Sequence, residues 1–428
     1  MTSVRPAPAS GPASVAVFGA GMVGVSCAWA LRQRGWQVSL YDAQGPGEGT
    51  SGGNAGLLAG SSFIPFNNPA LWPQLPALLG NQSAKLRYVP SYVLSRAGRL
   101  GQFLGHARQA DFEPTTRALH ALIAHSRRLH EQWMSTVGCS HLRRDLGWLM
   151  LYRSAQAQAK ANWTIELYKK HGIAHQLLSA HELLELEPAL RAGIFDSALW
   201  VQDASAISDP AALVRAYAQA LVDAGGVFQK CRLLALTPIS GAWQAQTDQG
   251  LVSAQHVVLA LGPWSEVVLR PLGLRLPLIH ERGQHQHLAY GLGHRLSRPI
   301  NDTAAAYVLS PMADAYRLTT GVELNQHAAS VSLAAQAQLS QAVLAAQQAV
   351  DLGQPMPTPP WLGSRPTLPD SRPMIGPAPR HPGLWLALGH QHIGLSTGPA
   401  TGDLLASLMT EQDPALDPTP FRPDRFSL

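Results

Sequence analysis

Cysteine is scarce in this sequence: 428 residues hold three, Cys27, Cys139 and Cys231, far apart and without a CxxC pair. A disulfide scaffold and a zinc cluster are therefore disfavoured, and a reducing cytoplasm is the expected compartment. Charged residues are also sparse, at 14% against 46% hydrophobic, which describes a chain that packs a core and excludes a disordered one. Lys and Arg form no dense run. Arg127-Arg128 and Arg143-Arg144 are isolated pairs, so despite a net charge of +5 no nucleic-acid surface is expected. Residues 1–14 carry three Pro and one Arg but no apolar core, and read as a flexible tail and not a secretory signal. The uncharged stretch Ser14 to Leu31 is long enough for a hydropathy window to flag it as membrane-spanning, yet three glycines interrupt it at a telling spacing. No internal repeat is visible.

Those glycines define the stretch around which the rest is arranged. Val15 to Phe18 reads as a short buried strand, Gly19, Gly21 and Gly24 as a tight turn, and Val25 to Arg34 as a helix. Gly19 lets the chain turn sharply, Gly21 lets backbone approach a pyrophosphate, and Gly24 lets helix pack on strand. The helix N-terminus favours the phosphates through its free N–H groups and its dipole. A second strand, Val38 to Tyr41, ends at Asp42, 18 residues after Gly24, with Ala43 beside it, so that a carboxylate can meet a ribose diol. This context predicts a dinucleotide site, with FAD and a nicotinamide both open at this point.

Downstream, Gly45 to Gly56 is a glycine-dense loop whose polar groups are Thr50, Ser51 and Asn54. So much glycine is costly inside a helix or strand, and the loop reads as backbone laid along a second part of the cofactor. Residues 61–111 alternate prolines with apolar residues and read as short helices wrapping something or forming a lid, with a membrane-touching surface as the alternative. Thr115 to Val137 is an amphipathic helix and Trp148 to Tyr152 a strand, while Ala155 to His171 and His181 to Leu186 are helical. Asp209 and Pro210 open a helix that runs to Gly225, after which Val227 to Leu236 reads as one strand. Trp243 to Thr247 and Val252 to His256 form a small hairpin, and Val257 begins a buried strand ending at Gly262. Pro277 to Ala289 crosses into a second region, where Tyr307 to Ser310 pairs with Tyr316 to Thr319 under a helix from Ser332 to Ala349. Last come a strand from Gly383, a glycine-rich turn and a helix reaching Met409.

Four separate segments match one pattern: Gly19-Ala20-Gly21-Met22-Val23-Gly24; Thr50-Ser51 with Asn54-Ala55-Gly56; Ala260 through Gly262 and Trp264 to Ser265; and Gly389 to Gly398. Together they resemble the FAD-dependent D-amino acid oxidase superfamily, most closely its D-amino acid dehydrogenase branch. Arg365-Pro366, Asp370, Pro373 to Gly376 and the ending Phe421 to Phe426 are similar too, so the resemblance runs from Val15 to Phe426. Two departures stand out. Asp42 replaces the Glu common in the family, and His390-Gln391-His392 replaces small residues in the final turn.

The resemblance implies an α/β fold: a Rossmann-type, glutathione-reductase-like FAD-binding domain with an inserted α+β substrate domain on a mixed sheet. The expected division gives 15–60, 189–276 and 361–428 to the FAD domain, and 61–188 with 277–360 to the substrate domain, residues 61–111 being its lid. It implies non-covalent FAD, with the isoalloxazine between the Ser51 to Leu57 loop and the turn of Gly389, His392, Ile393, Gly394, Leu395 and Ser396. The implied reaction is hydride transfer from the α-carbon of a D-amino acid to flavin N5, then hydrolysis of the imine to a 2-oxo acid and ammonia. Such a site needs a cation for the substrate carboxylate. Arg317 and Arg365 are the first candidates, Arg282 the next, with Tyr307 and Tyr316 as capping hydroxyls and His392 beside the flavin. His285, His287, His390 and His392 tempt a metal reading, but no carboxylate or cysteine stands at ligand spacing, so no metal is expected. The partners expected are a small amino acid substrate and an electron acceptor that is oxygen, a quinone or a carrier protein, with peripheral contact to the inner face of the membrane through 61–111 as an option. The rivals are a cyclic or secondary amine acid (hydroxyproline, sarcosine or glycine), an NAD-dependent reductase, and a non-catalytic membrane-associated flavin-binding protein.

Overall fold

Two sheets organise the chain in the computed structural model, which describes residues 13–428. The expected tail lies outside the described residues except for Ala13 and Ser14, and Ser14 already opens the first strand. Six strands form one sheet in the order Val227–Lys230, Gln37–Asp42, Ser14–Phe18, His256–Leu259, Leu384–Leu388 and Met374–Pro377. All pair in parallel except the last two. Parallel strands buried on both faces read as continuous apolar runs, as Val15 to Phe18 and Val257 to Leu259 do. Helices Met22–Gln33 and Gly394–Met409 pack together on one face with Pro210–Asp223 beside them. On the other lies a three-stranded meander, Leu233–Ile239, Ala242–Thr247 and Gly250–Ala254.

The first glycine corner shows why the fold needs it. Gly19 has φ +107°, and a Cβ on Gly24 would stand 1.7 Å from the Gly19 carbonyl oxygen. No other residue fits at Gly24 without parting strand from helix.

An eleven-stranded mixed sheet forms the second unit, centred on the long strand Ile279–Tyr290. Its edge strand Leu86–Tyr88 comes from the proline-rich segment, which otherwise forms the short helical pieces Pro69–Gln74, Leu75–Leu79, Pro90–Ser95 and Ala97–Gly105. This segment is pinned to the sheet: Tyr92 Oη accepts from His280 N–H at 2.8 Å, and Arg99 donates to Leu278 O at 2.9 Å.

Several expectations need correction. Ser197–Val201 pairs with Trp148–Tyr152 and His175–Ser179 in the large sheet, so the boundary at 189 comes too early. Trp361–Thr367 pairs along Ile279–Tyr290, because the returning chain crosses the large sheet before re-entering the six-stranded one. The stretch Val227 to Leu236 is two strands in two sheets. Cys231 N–H closes the last rung on Asp42 O at 2.8 Å, and Arg232 N–H turns to Asp248 Oδ1 at 2.8 Å. The helix Ala155 to His171 breaks into Ala155–Ala159 and Asn162–Lys170, and the amphipathic helix starts earlier, spanning Gln109–Thr136 with Pro114 inside it. No described helix is long and apolar enough to cross a membrane.

Buried neutral histidines stitch these layers. His130 joins the long helix to its neighbours, its ring nitrogens 2.9 Å from Tyr217 Oη and from Leu395 O, and burial pulls its pKa down to about 4. His390 lies 2.9 Å from Thr401 Oγ1, with its pKa pulled down to about 3 by burial. The unfolded chain binds these protons near pH 6.5 and the native state does not, so stability is full above that pH and falls as pH drops toward 4. Each such histidine contributes a slope of roughly 1.4 kcal/mol per pH unit in that window. Thermal unfolding followed at pH 5 and pH 7.5 is expected to show a lower Tm at pH 5, and His130→Gln to flatten the dependence.

Candidate active site

One continuous cavity of about 940 Å3 joins the distant corners of the chain. It begins at Gly19, Gly21, Val23 and Asp42, passes Thr50, Ser51, Asn54, Ala55 and Leu57, and runs by Ala260, Gly262 and Trp264. It then reaches Gly389, His392, Ile393, Gly394, Leu395 and Ser396 before opening under the proline-rich segment. Backbone and side-chain bonds lock the corners together. Met22 N–H donates to Ser51 Oγ at 2.9 Å, Asn54 Nδ2 to His392 O at 3.4 Å, and Ser396 Oγ to Leu57 O at 3.0 Å. The first helix starts at Met22, three residues before the sequence suggests, because Gly21 is extended and Ser51 takes up a first-turn donor.

Five residues expected to touch the cofactor are not part of the cavity lining. Ala20 and Met22 are fully buried in the core, Gly24 abuts Gly19, Ala43 is exposed, and Gly56 is bonded to Asn54 Oδ1 and Ile207 N. Asp42 lines the cavity, but its shorter arm turns back on its own loop. Oδ2 accepts from Ala20 N–H at 2.8 Å, and Oδ1 accepts from Gln44 and Gly45 N–H at 2.8 and 3.1 Å. Of about four lone-pair sites on a carboxylate, one is left for a ribose hydroxyl.

The two leading arginines part company. Arg317 does not line the cavity; its Nη1 donates to Gly52 O at 2.7 Å and Asn54 O at 2.6 Å, and its Nε to His287 Nε2 at 3.1 Å. It fastens the glycine-dense loop through Nε and Nη1 and stands outside the cavity lining, which corrects its expected place at the substrate carboxylate. Arg282 is corrected likewise: it is 1% exposed, donates to Ser330 O at 3.2 Å, and pairs with Glu323 at 3.6 Å. Tyr316 Oη accepts from Leu296 N–H at 2.8 Å, away from the cavity. Arg365 lines the cavity and its guanidinium makes no hydrogen bond among the described residues. Tyr307 borders it, but it alternates with the cavity-facing Val308 and packs with Leu309 and Leu318 in the core on the other face of the sheet, its hydroxyl beside Asp302 and Arg153, which corrects its expected place as a capping hydroxyl. His392 faces Phe66, ring centroids 4.8 Å apart, and burial with the nearby Arg365 charge lowers its pKa to about 3. It is a neutral imidazole at physiological pH, with Nδ1 unpartnered among the described residues. His285 stacks on Trp361 at 5.0 Å, and no group of three His, Cys, Asp or Glu among the described residues could hold a metal ion.

Glu281, Phe66 and Trp361 also line the cavity and were missed. For Glu281 a signal existed: it is the single acid in the strand after Pro277, alternating with its neighbours across the sheet.

Known proteins share this sequence pattern and fold. The family model for FAD-dependent oxidoreductases matches residues 14–408. The chain is 31% identical over 443 residues to D-amino acid dehydrogenase 2 of Ralstonia nicotianae, covering 95% of this chain and 99% of that one. It is 29% identical over 425 residues to the D-amino-acid oxidase of Bradyrhizobium diazoefficiens, covering 96% and 98%. Its structure resembles that of glycine oxidase from Geobacillus kaustophilus, with TM-score 0.72, 21% identity, and 95% and 97% of the two chains covered.

The chain belongs to the FAD-dependent D-amino acid oxidase family.

This flavoenzyme is thus an oxidoreductase acting on amino donors. Its cavity fits the cofactor: Gly21 leaves the entrance clear, since a Cβ there would lie 3.1 Å from the Ser51 Oγ that receives the first-turn N–H. The two arginines separate experimentally. A charge-assisted hydrogen bond contributes about 1.5–3 kcal/mol, or roughly ten- to hundredfold. Arg317→Met is expected to weaken FAD retention by at least tenfold, measured as flavin released on dilution and gel filtration. Arg365→Met is expected to keep its flavin and raise the KM for substrate by at least tenfold.

Proposed function

We propose that this flavoenzyme oxidises D-amino acids to 2-oxo acids and ammonia, and that Arg365 receives the substrate α-carboxylate. The observation that carries this reading is the Arg365 guanidinium in the cavity, without a hydrogen bond among the described residues, on the strand Trp361–Thr367 whose end bridges to His390 of the final turn. A planar, permanently charged fork suits a carboxylate. The names of the two curated relatives support the D configuration.

In this reading the six-stranded sheet with its helices is the FAD domain and the large sheet with residues 61–111 the substrate domain. Gly19 to Gly24 hold the pyrophosphate at a helix N-terminus, Asp42 a ribose hydroxyl, and the Asn54 to Leu57 and Gly389 to Ser396 segments the isoalloxazine, non-covalently. Bound FAD supplies a two-electron acceptor that takes the hydride from the substrate α-carbon at N5. The N-terminus of helix Gly394–Met409 favours negative charge beside it. His392 and Phe66 form an uncharged wall.

Leu75, Leu78, Leu100, Phe103 and Leu104 of the proline-rich segment line the same cavity, and Lys85 is the one charge that segment contributes to the described lining. Large apolar side chains are favoured there, at about 0.8 kcal/mol per buried CH2. Trp72 and Leu94 expose apolar surface on the same segment outside the cavity lining, which supports peripheral contact with a membrane.

An anaerobic screen of flavin bleaching with D- and L-amino acids, imino acids, glycine and N-methylglycine tests the reading. D-leucine and D-phenylalanine are expected to bleach the flavin with at least tenfold higher kcat/KM than D-aspartate. Bleaching by glycine, N-methylglycine or cyclic imino acids alone would establish the second reading, which the likeness to a glycine oxidase favours. Admission of air then reads the acceptor, since rapid return of colour marks an oxidase.

A further inference from the structure

Glu281 stands directly opposite Arg365 in the antiparallel pairing of Ile279–Tyr290 with Trp361–Thr367. Directly opposed side chains share a face of the sheet. Here that face looks into the cavity, which Ile279, Glu281, Gly283, Gly363 and Arg365 all line. A Cβ on Gly283 would fall 2.6 Å from Arg365 Nη2, so the guanidinium lies across the bare strand beside the acid.

The two charges are neighbours without being a closed pair. No ion pair within 4.0 Å joins them among the described residues, Arg365 donates no side-chain hydrogen bond, and Glu281 Oε2 has no partner although the residue is 4% exposed. Thr367 is a side-chain hydrogen-bond neighbour of the carboxyl, but a buried carboxyl oxygen without a partner is costly, and a cationic ligand group repays that cost. Among the described cavity-lining residues the other acid is Asp42, at the nucleotide end, already engaged by three N–H donors.

We propose that Glu281 receives the substrate's amino group, so that Glu281 and Arg365 form matched docking points for a zwitterionic amino acid. The proposal rests on the amino acid reading above. It goes beyond it by giving the ammonium its own receptor. Burial raises the carboxyl pKa and the Arg365 charge opposes the rise; an arriving ammonium acts in the same direction as Arg365.

The test uses the FAD-loaded enzyme and two probes: the best amino acid substrate, and the carboxylic acid that differs only in lacking its amino group. The first is read by its KM in anaerobic flavin reduction, the second by its Kd from perturbation of the flavin spectrum. Glu281→Gln is expected to raise the KM of the amino acid at least tenfold while moving the Kd of the des-amino acid by less than threefold. Glu281→Asp, which keeps the charge, is expected to recover part of the loss; should the Gln variant fail to fold, the Asp variant alone must weaken the amino acid more than the des-amino acid. Parallel weakening of both probes would show that Glu281 acts only by steadying Arg365, and an unchanged amino acid KM would show that it receives nothing; either overturns the proposal. Failure of the parent reading is separate, since the wild-type flavin would then not bleach with any amino acid.

Discussion

Everything in this molecule depends on how closely one helix approaches one strand. At Gly24 the helix Met22–Gln33 rests on the carbonyl of Gly19 with no room for a side chain, and this contact aims the helix N-terminus along the cavity. The N–H groups of the first turn then face the space between Asp42 and Ser51. A looser approach would fill that entrance with side chains and turn the dipole elsewhere.

From that entrance the cavity passes between two kinds of wall. The six-stranded sheet contributes backbone, in glycine-bearing corners that can lie flat against a large planar group. The large sheet contributes side chains: Arg365 and Glu281 point from it into the same space. Arg317 mediates between the walls, holding the Gly52 and Asn54 carbonyls from a strand of the large sheet. Its Nε and Nη1 are engaged by the protein, whereas the Arg365 guanidinium makes no hydrogen bond among the described residues. Two arginines on one face of one sheet thus differ in what engages them, and the surrounding apolar lining strengthens the pull of the open one because charges interact more strongly away from water.

Much of this was legible in the sequence, and the reason is local. Gly19, Gly21 and Gly24 are forced by backbone geometry, and Asp42 by the end of a strand, so their spacing alone carries the message. The helices that begin after Asp209 and Ser332 were equally plain, because each cap side chain accepts a first-turn N–H at close range. What escaped depends on contacts distant in the chain. Nothing near Arg317 tells that two carbonyls of a loop more than 260 residues away will consume it. Nothing near Arg365 tells that it stays open, and Glu281 acquires meaning only when strand pairing sets it opposite Arg365. The strand Ser197–Val201 was given to the wrong unit for the same reason: its apolar run suits either sheet, and its partners decide.

The central claim is that one continuous cavity carries the flavin from the Gly19 corner to a floor made by Arg365 and Glu281. A crystal structure of the FAD-loaded enzyme with a bound, unreactive amino acid analogue tests it most directly. The account predicts pyrophosphate at the N-terminus of helix Met22–Gln33, with the ring system between Asn54 and Gly394. It further predicts the analogue's carboxylate on Arg365 and its amino group on Glu281. A flavin lying outside this cavity, or an analogue whose carboxylate is held by Arg317, would contradict it.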